Sequence, residues 1–145
     1  EIAAAGNVQV RRTYHDPHTG RIVENVQTGD VVEVRLTVTL ANDAAYVIVE
    51  DKLPGGLEAL NENLATTSVA ASFQARRQYN YTHKEVWGDR VSYFITDMNQ
   101  GTHTFTYYAR ATQSGVFTAM PTEVYAMHDL ATWGRSASAS LAVEP

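Results

Sequence analysis

The sequence predicts an all-β protein, an antiparallel β-sandwich of seven to nine strands. Valine, threonine and tyrosine, which favour strands, are abundant, while lysine occurs only at positions 52 and 84. Apolar residues alternate with polar residues in several short runs, which is the period of a strand with one buried face. Gly, Asn, Asp and Pro separate these runs, and no stretch has the pattern of a long helix.

The first predicted strands lie within residues 8–40. Apolar and polar residues alternate over 8–12, and the sequence Asp-Pro-His-Thr-Gly at 16–20 then predicts a turn. A second turn at 28–30 leads into 32–40, where valine and leucine occupy every second position. This run is the clearest half-buried strand of the sequence.

The next segment predicts a central strand that ends in a sharp bend. Residues 46–49 are continuously apolar, as expected for a strand covered on both faces. Glu50-Asp51 is expected to return the chain to water. Pro54 has no amide hydrogen and Gly55-Gly56 adopt positive φ readily, so the chain should bend there. The bend is expected to bring Leu57 and Leu60 onto the core.

The second half of the chain predicts more short strands and one irregular stretch. Residues 61–78 show little pattern and predict a long crossover loop, and residues 123–130 predict an irregular bridge. Gly88-Asp89 separates two strands by two residues, which predicts a hairpin. The strands of this half are predicted, in chain order, over 83–87, 90–96, 102–112, 116–120 and 137–143.

Composition predicts one domain, over residues 1–145, and excludes several classes of partner. The formal net charge is −5 and the arginines are scattered, so no basic stripe is available for nucleic acid. No apolar run approaches the roughly 20 residues that a membrane-spanning helix needs, so no direct membrane insertion is expected. The chain contains no cysteine. Because it begins at Glu1, we expect it to be a piece of a longer protein.

No catalytic, cofactor-binding or metal-binding residue is predicted, and we expect no enzyme activity and no cofactor. A serine nucleophile needs a base and a supporting turn, and no such motif occurs. Glu50 and Asp51 are neighbours in a strand and point to opposite faces, which does not suit acid–base catalysis. His15, Asp16 and His18 offer metal-ligand atoms, but the same segment is explained by a turn, which we favour.

Two groups of large side chains are candidates for binding. Seven aromatic residues could form a platform for sugar rings, although alternation favours core packing for most of them: Tyr79, Tyr81, Trp87, Tyr93, Phe94, Tyr107 and Tyr108. Met127, His128 and Trp133 lie in the predicted irregular bridge or just beyond it. Large adaptable side chains on such a segment are typical of a protein contact, and capping one end of the sandwich is the alternative.

Several segments together resemble the last macroglobulin-like domain of bacterial alpha-2-macroglobulins. The resemblance extends from about Val8 to Val143 and depends on the order of its parts. These are Gly29-Asp30 before an alternating strand, residues 46–58 (YVIVEDKLPGGLE), Gly101 before residues 102–111, Gly115-Val116-Phe117, and Trp133-Gly134-Arg135. The family implies a β-sandwich of the macroglobulin or fibronectin-III kind.

The resemblance also implies a role within a larger protein. In this family a chain of macroglobulin domains carries a bait region and, commonly, a thioester domain, and bait cleavage leads to trapping of the protease. Its terminal domain packs on the thioester domain and keeps water from the bond. The family segment commonly has Met followed by Tyr where this chain has Met127 and His128, and one bacterial subgroup lacks the thioester.

We therefore expect a non-enzymatic, C-terminal domain of a bacterial protease inhibitor, located in the periplasm or outside the cell. The resemblance implies that its docking and shielding surface comprises Tyr125, Met127, His128 and Trp133. Its partners would be the thioester domain and the neighbouring macroglobulin domains, with target proteases met only through the full-length protein. A structural stalk or adhesin module, and a carbohydrate-binding module, are the alternatives.

Overall fold

Alternating apolar side chains produce strands throughout the described chain. The computed structural model describes residues 2–60 and 81–145. The strands of this part, in chain order, are β1 (Ala5–Gly6), β2 (Gln9–His15), β3 (Asn25–Gln27), β4 (Val31–Leu40), β5 (Ala44–Lys52), β6 (Leu57–Ala59), β7 (His83–Val86), β8 (Arg90–Met98), β9 (Gly101–Ala111), β10 (Gly115–Ala119), β11 (Glu123–Ala126), β12 (Asp129–Arg135) and β13 (Ala139–Glu144). No helix long and apolar enough to cross a membrane occurs in these two ranges.

The strands form three sheets around one core. A six-stranded sheet has the order β1-β12-β11-β5-β8-β7, a four-stranded sheet the order β2-β4-β9-β6, and a three-stranded sheet the order β10-β13-β3. Buried side chains from all three sheets belong to a single hydrophobic cluster. Each sheet therefore turns one face inward, and the outer face of the six-stranded sheet is left towards solvent.

The central pair of the four-stranded sheet shows how the alternation builds the core. Val34, Leu36 and Val38 of β4 are completely buried, and the residues between them are more exposed. Strand β9 pairs with β4 in antiparallel register, which places Tyr107 opposite Val34 and Phe105 opposite Leu36. Burial of each such side chain contributes about 1.5–3 kcal/mol to folding.

The all-β sandwich prediction is confirmed, with more strands than expected. Thirteen strands occur in the described residues, because segments of two or three residues (β1, β3 and β6) add short strands to the sheets. One pair, β13 with β3, is parallel. The crossover loop predicted over 61–78 lies outside the described residues.

Most of the predicted turns are confirmed. Gly88-Asp89 connects β7 and β8, and the Trp87 amide donates to the Arg90 carbonyl at 2.8 Å. The bend at residues 53–56 is closed by a hydrogen bond from the Leu57 amide to the Pro54 carbonyl at 3.0 Å. Leu57 is buried as expected, whereas Leu60 is only half-buried.

Candidate docking surface

The four predicted contact residues lie on one β-hairpin of the six-stranded sheet. Strands β11 and β12 pair antiparallel, and Ala126 lies opposite Asp129, so Met127 and His128 form a two-residue turn. The predicted irregular bridge over 123–130 is therefore wrong in that strands occupy both sides of the turn. Its irregularity is confined to a shift of register between Tyr125 and Ala126, which leaves residues 130–132 of β12 as a bulge without direct partners on β11. Neither Met nor His favours the positive φ of common two-residue turns, and the sequence carries no turn signal here. The hairpin is set instead by pairing, because β11 also joins β5 on its other side.

The turn of this hairpin exposes large apolar side chains. Met127 is 51% exposed and Leu130, at the start of β12, is 88% exposed. His128 is also exposed. Together with Tyr46, described next, these residues form a surface that we call the hairpin tip. The tip presents apolar groups to solvent, with Met127 directly after the paired strand β11 and Leu130 in the bulge of β12.

Tyr46 is a tip residue that the sequence did not predict. The run 46–49 was expected to be covered on both faces, yet Tyr46 is 52% exposed while Val47–Val49 are buried. Its φ is +54°, an uncommon value for a residue other than glycine. Its carbonyl accepts a hydrogen bond from the Met127 amide at 3.0 Å. Its ring meets the His128 ring edge-on, with centroids 5.2 Å apart.

This backbone conformation orients Tyr46 towards the hairpin. An aromatic residue with positive φ carries strain of about 1–3 kcal/mol, which the surrounding contacts must offset. The hydrogen bond to Met127 and the edge-on contact with His128 are two of those contacts. An apolar run gives no sign of a left-handed residue at its start, so sequence alone could not identify this position.

Tyr125 and Trp133 form a second part of the surface, next to the tip. They are direct cross-strand partners on the outer face, and they are 39% and 41% exposed. A cleft of about 250 Å³ lies beside them, and its lining includes Ile2 and Met120. The structure therefore places all four predicted residues on one hairpin, with two at its turn and two along its strands.

The N-terminal segment fixes the backbone of Trp133. The Asn7 side chain accepts a hydrogen bond from the Trp133 amide at 3.0 Å and donates one to the Ala131 carbonyl at 2.7 Å. The Val8 amide donates to the Trp133 carbonyl at 2.9 Å. A Cβ atom on Gly134 would lie 2.0 Å from the Val8 carbonyl oxygen, so this close approach requires glycine. We call these contacts the N-terminal clasp.

On the opposite face of the sheet, a buried polar network surrounds Asp51. Asp51 was expected to return the chain to water, and this is wrong, because its side chain is completely buried. Arg12 of β2 reaches it with an Nη1–Oδ1 distance of 2.6 Å. Its carboxylate also accepts hydrogen bonds from the hydroxyls of Tyr107 and Thr122.

Charge and burial oppose each other in this network. Burial lowers the pKa of the Arg12 guanidinium, but the charge of Asp51, its hydrogen bond and the nearby Tyr14 and Tyr107 together raise the pKa overall. Burial raises the pKa of Tyr107 well above its ordinary value, and Asp51 adds to the shift. Both groups therefore keep their protons, and the network joins the sheets as an ion pair with two hydroxyl donors.

The segment with two histidines at 15–18 forms a turn. The Asp16 carboxylate accepts hydrogen bonds from the amides of His18 and Thr19, and these bonds lower the pKa of Asp16. The buried His15 ring contacts the Gly20 carbonyl at 2.9 Å and the Thr13 hydroxyl at 2.7 Å. Both ring nitrogens thus have protein partners, in agreement with the predicted turn.

The aromatic residues considered as a sugar platform are divided between core and surface. Tyr93, Tyr107 and Tyr108 are buried, as the alternation favoured, and Trp87 is exposed at the β7–β8 turn. Tyr79 lies outside the described residues. The buried rings serve packing, for example Tyr93 against Phe105 with centroids 5.0 Å apart. They therefore do not form a platform on one face.

Comparison with known proteins identifies the domain. The family of the bacterial alpha-2-macroglobulin MG10 domain matches residues 8–129. An alpha-2-macroglobulin homolog from Nostoc is 25% identical over 116 residues, covering 80% of this chain and 6% of that protein. The native conformation of Escherichia coli alpha-2-macroglobulin is 25% identical with a TM-score of 0.84, covering all of this chain and 10% of that one.

A further solved structure agrees with this result. Salmonella alpha-2-macroglobulin reacted with methylamine is 26% identical with a TM-score of 0.80, over 100% of this chain and 10% of that chain. The chain thus spans about a tenth or less of the length of these relatives. Because the family match covers most of the sequence, from the first long strand to the start of β12, the chain belongs to the MG10 domain family of bacterial alpha-2-macroglobulins.

Proposed function

We propose that this domain is a non-catalytic part of a bacterial protease trap and docks, through the hairpin tip, on the thioester domain of the same longer chain. The main support for this proposal is the exposure of the hairpin tip. Met127 is more than half exposed next to the paired strand β11, and its amide donates a hydrogen bond to Tyr46. Leu130, in the bulge of β12, is 88% exposed. Apolar side chains in such a position are typical of a contact surface.

The chemistry of the tip suits a shield for a reactive acyl bond. A thioester survives in water only where nucleophiles are excluded. Met127 adapts to an uneven surface, and the rings of Tyr46 and His128 add rigid apolar area beside it. The carboxylate next to the tip, that of Asp129, accepts hydrogen bonds from the Ala131 amide and the Thr132 hydroxyl. Docking of the tip would cover the bond and keep water from it.

The relatives support a location inside a larger protein. This chain covers 6% of the Nostoc homolog and about 10% of the Escherichia coli and Salmonella proteins. Other domains of such a chain are the nearest available partners for the exposed hairpin. We extend the proposal to a periplasmic or extracellular location, since a protease trap has to meet its proteases there.

The test is the lifetime of the thioester in the full-length protein that contains this chain. The double variant Met127→Ala with His128→Ala removes the tip side chains and leaves the strand pairing intact. Methylamine incorporation should then become at least several-fold faster before any protease is added. Val116→Ala is the matched control, because Val116 is 78% exposed but lies on β10 in another sheet.

Two outcomes would contradict the proposal. Equal rates of methylamine incorporation for the double variant, the control and the unchanged protein would show that the tip does not shield the bond. A full-length sequence made of near-identical tandem copies of this domain, with no Cys-x-x-Gln motif, would indicate a stalk instead. A single copy of this domain within a longer array of other β-domains, again without that motif, would exclude the shielding role and leave the docking role.

A further inference from the structure

The outer face of the six-stranded sheet carries a row of large apolar side chains across four strands. Strand register places Trp133 opposite Tyr125, Tyr125 opposite Ile48, and Ile48 opposite Phe94. Ile48 is only 9% exposed and lies outside the core cluster, so its burial comes from its neighbours on this face. We call these four residues the aromatic row. Its exposed end is formed by Tyr125 and Trp133.

Carboxylates lie directly beside this row. Glu123 and Glu50, two positions along β11 and β5, face each other as direct cross-strand partners. Like charges in such a pair repel. Glu123 has cations near it, with Arg135 opposite on β12 and the Lys52 ammonium 3.8 Å away. Glu50 has no ion-pair partner among the described residues.

The electrostatic effect of these carboxylates reaches the aromatic row. The pKa of Tyr125 is raised, first by partial burial and then by the charges of Glu50 and Glu123. The exposed end of the row is therefore an apolar surface with two carboxylates close to it, of which Glu50 lacks an ion-pair partner among the described residues. A basic side chain fits such a place, because the ring faces attract cations and the carboxylate supplies the opposite charge.

The aromatic row is continuous with the hairpin tip. Along β5 the outward side chains are Tyr46, Ile48 and Glu50. Along β11, Tyr125 lies two residues before Met127 of the turn. A partner that covers Met127 and His128 would extend over Tyr125 without leaving the sheet.

We propose that the neighbouring domain of the longer chain that covers the hairpin tip also covers the exposed end of the aromatic row, and places an arginine or lysine against Glu50 and Tyr125. This inference rests on the proposed docking function and specifies its partner surface as apolar with one basic side chain. The carboxylate of Glu50, which faces Glu123 and has no ion-pair partner among the described residues, and the continuity of the row with the tip support it. The relatives, about ten times longer than this chain, have room for that partner.

The experiment is hydroxyl-radical footprinting of the full-length protein and of this chain alone. Oxidation of Tyr125 and Trp133 should be several-fold slower in the full-length protein than in the isolated chain. Glu50→Gln in the full-length protein should raise their oxidation towards the isolated level, and Glu50→Lys should raise it further. Glu58→Gln is the control, because Glu58 is exposed on β6 of the four-stranded sheet.

A stability measurement excludes a merely structural role for Glu50. Glu50→Gln relieves the repulsion with Glu123, so the urea midpoint of the isolated chain should stay the same or rise. Weaker docking together with unchanged or higher stability is the expected combination. A lower midpoint in the isolated chain would assign the change in footprint to local unfolding and would overturn the inference.

The outcomes separate this inference from the proposed function. If the unchanged full-length protein shows no protection of Met127, Tyr125 or Trp133, the docking function itself is wrong. If Met127 alone is protected, docking stands and coverage of the row is wrong. If all three are protected and Glu50→Gln behaves like Glu58→Gln, docking stands and the basic partner is wrong.

Discussion

The two faces of β5 differ in how their side chains find partners. On the inner face, Val47 and Val49 pack in the core, and Asp51 is completely buried with a cation and hydroxyl donors around it. On the outer face of the same strand, Tyr46 is half exposed and Glu50 has no ion-pair partner in the described chain. The side chains of the inner face find their partners within this chain. The outer face exposes apolar and charged side chains, and in our proposal their partners lie in another domain.

This difference also separates stability from function along one strand. A buried carboxylate is tolerated only when its charge and its hydrogen-bonding capacity are satisfied. Three elements supply the partners of Asp51: β2 supplies Arg12, β9 supplies Tyr107, and the segment after β10 supplies Thr122. Changes on the inner face should therefore alter folding, and changes on the outer face should alter docking.

The largest effect is expected from two adjacent substitutions on opposite faces. Asp51→Ala leaves the buried Arg12 guanidinium without its counter-charge and should cost about 3–5 kcal/mol of unfolding free energy. Glu50→Ala on the outer face should stay within about 0.5 kcal/mol of the unchanged chain. Urea denaturation followed by circular dichroism measures both. Equal losses at the two positions would end the distinction between the faces.

A second pair of substitutions compares a hydroxyl that has a partner with one that has none. The Tyr107 hydroxyl donates to Asp51, so Tyr107→Phe should cost about 2 kcal/mol, as for a hydrogen bond to a charged group. The buried Tyr14 hydroxyl has no hydrogen-bond partner among the described residues, so Tyr14→Phe should leave stability unchanged or raise it. Urea midpoints at pH 7 distinguish the two, and a clear loss for Tyr14→Phe would show an unseen partner.

The dependence of stability on alkaline pH gives a further test of the two buried tyrosines. Burial raises the pKa of both Tyr14 and Tyr107, so above about pH 10 the unfolded chain loses protons that the folded chain keeps. Stability is then lost as pH rises, by about 1.4 kcal/mol per pH unit for each tyrosine. Tyr14→Phe should make the fall between pH 10 and 11 less steep by that amount. An unchanged slope would show that Tyr14 titrates normally in the fold.

The smallest effect concerns the strained residue of the hairpin tip. Both Tyr46→Ala and Tyr46→Gly remove the ring, but only glycine accepts a φ of +54° without strain. The glycine variant should therefore be the more stable of the two, by about 1 kcal/mol. Thermal unfolding of the isolated chain provides the comparison. A more stable alanine variant would mean that the backbone at this position does not keep its positive φ once the ring is absent.

Sequence reasoning succeeded where a pattern is local. The alternation over residues 32–40 and 102–112 depends on immediate neighbours, and both segments form strands with the predicted buried faces. The all-β class follows from such segments, because burying one face of each requires sheets packed against one another.

Prediction from the sequence failed for residues whose contact partners lie far away in the chain. Arg12, Tyr107 and Thr122 lie 39, 56 and 71 positions from Asp51, so no local pattern marks Asp51 as buried. The hairpin at Met127 and His128 lacks turn residues and is set by pairing on both sides of β11. The identity of the contact residues came from a family resemblance, while their common position on one hairpin required the structure.

The N-terminal clasp has a consequence for the order of folding. It joins residues 126 positions apart, as between Asn7 and Trp133, whereas the hairpin that it supports closes over a two-residue turn. Contacts between distant parts of a chain form slowly, because long loops must be closed first. The hairpin should form early and the clasp late. Until the clasp closes, β12 presents an unpaired edge beside exposed apolar rings, which makes this edge the point most open to incorrect association during synthesis.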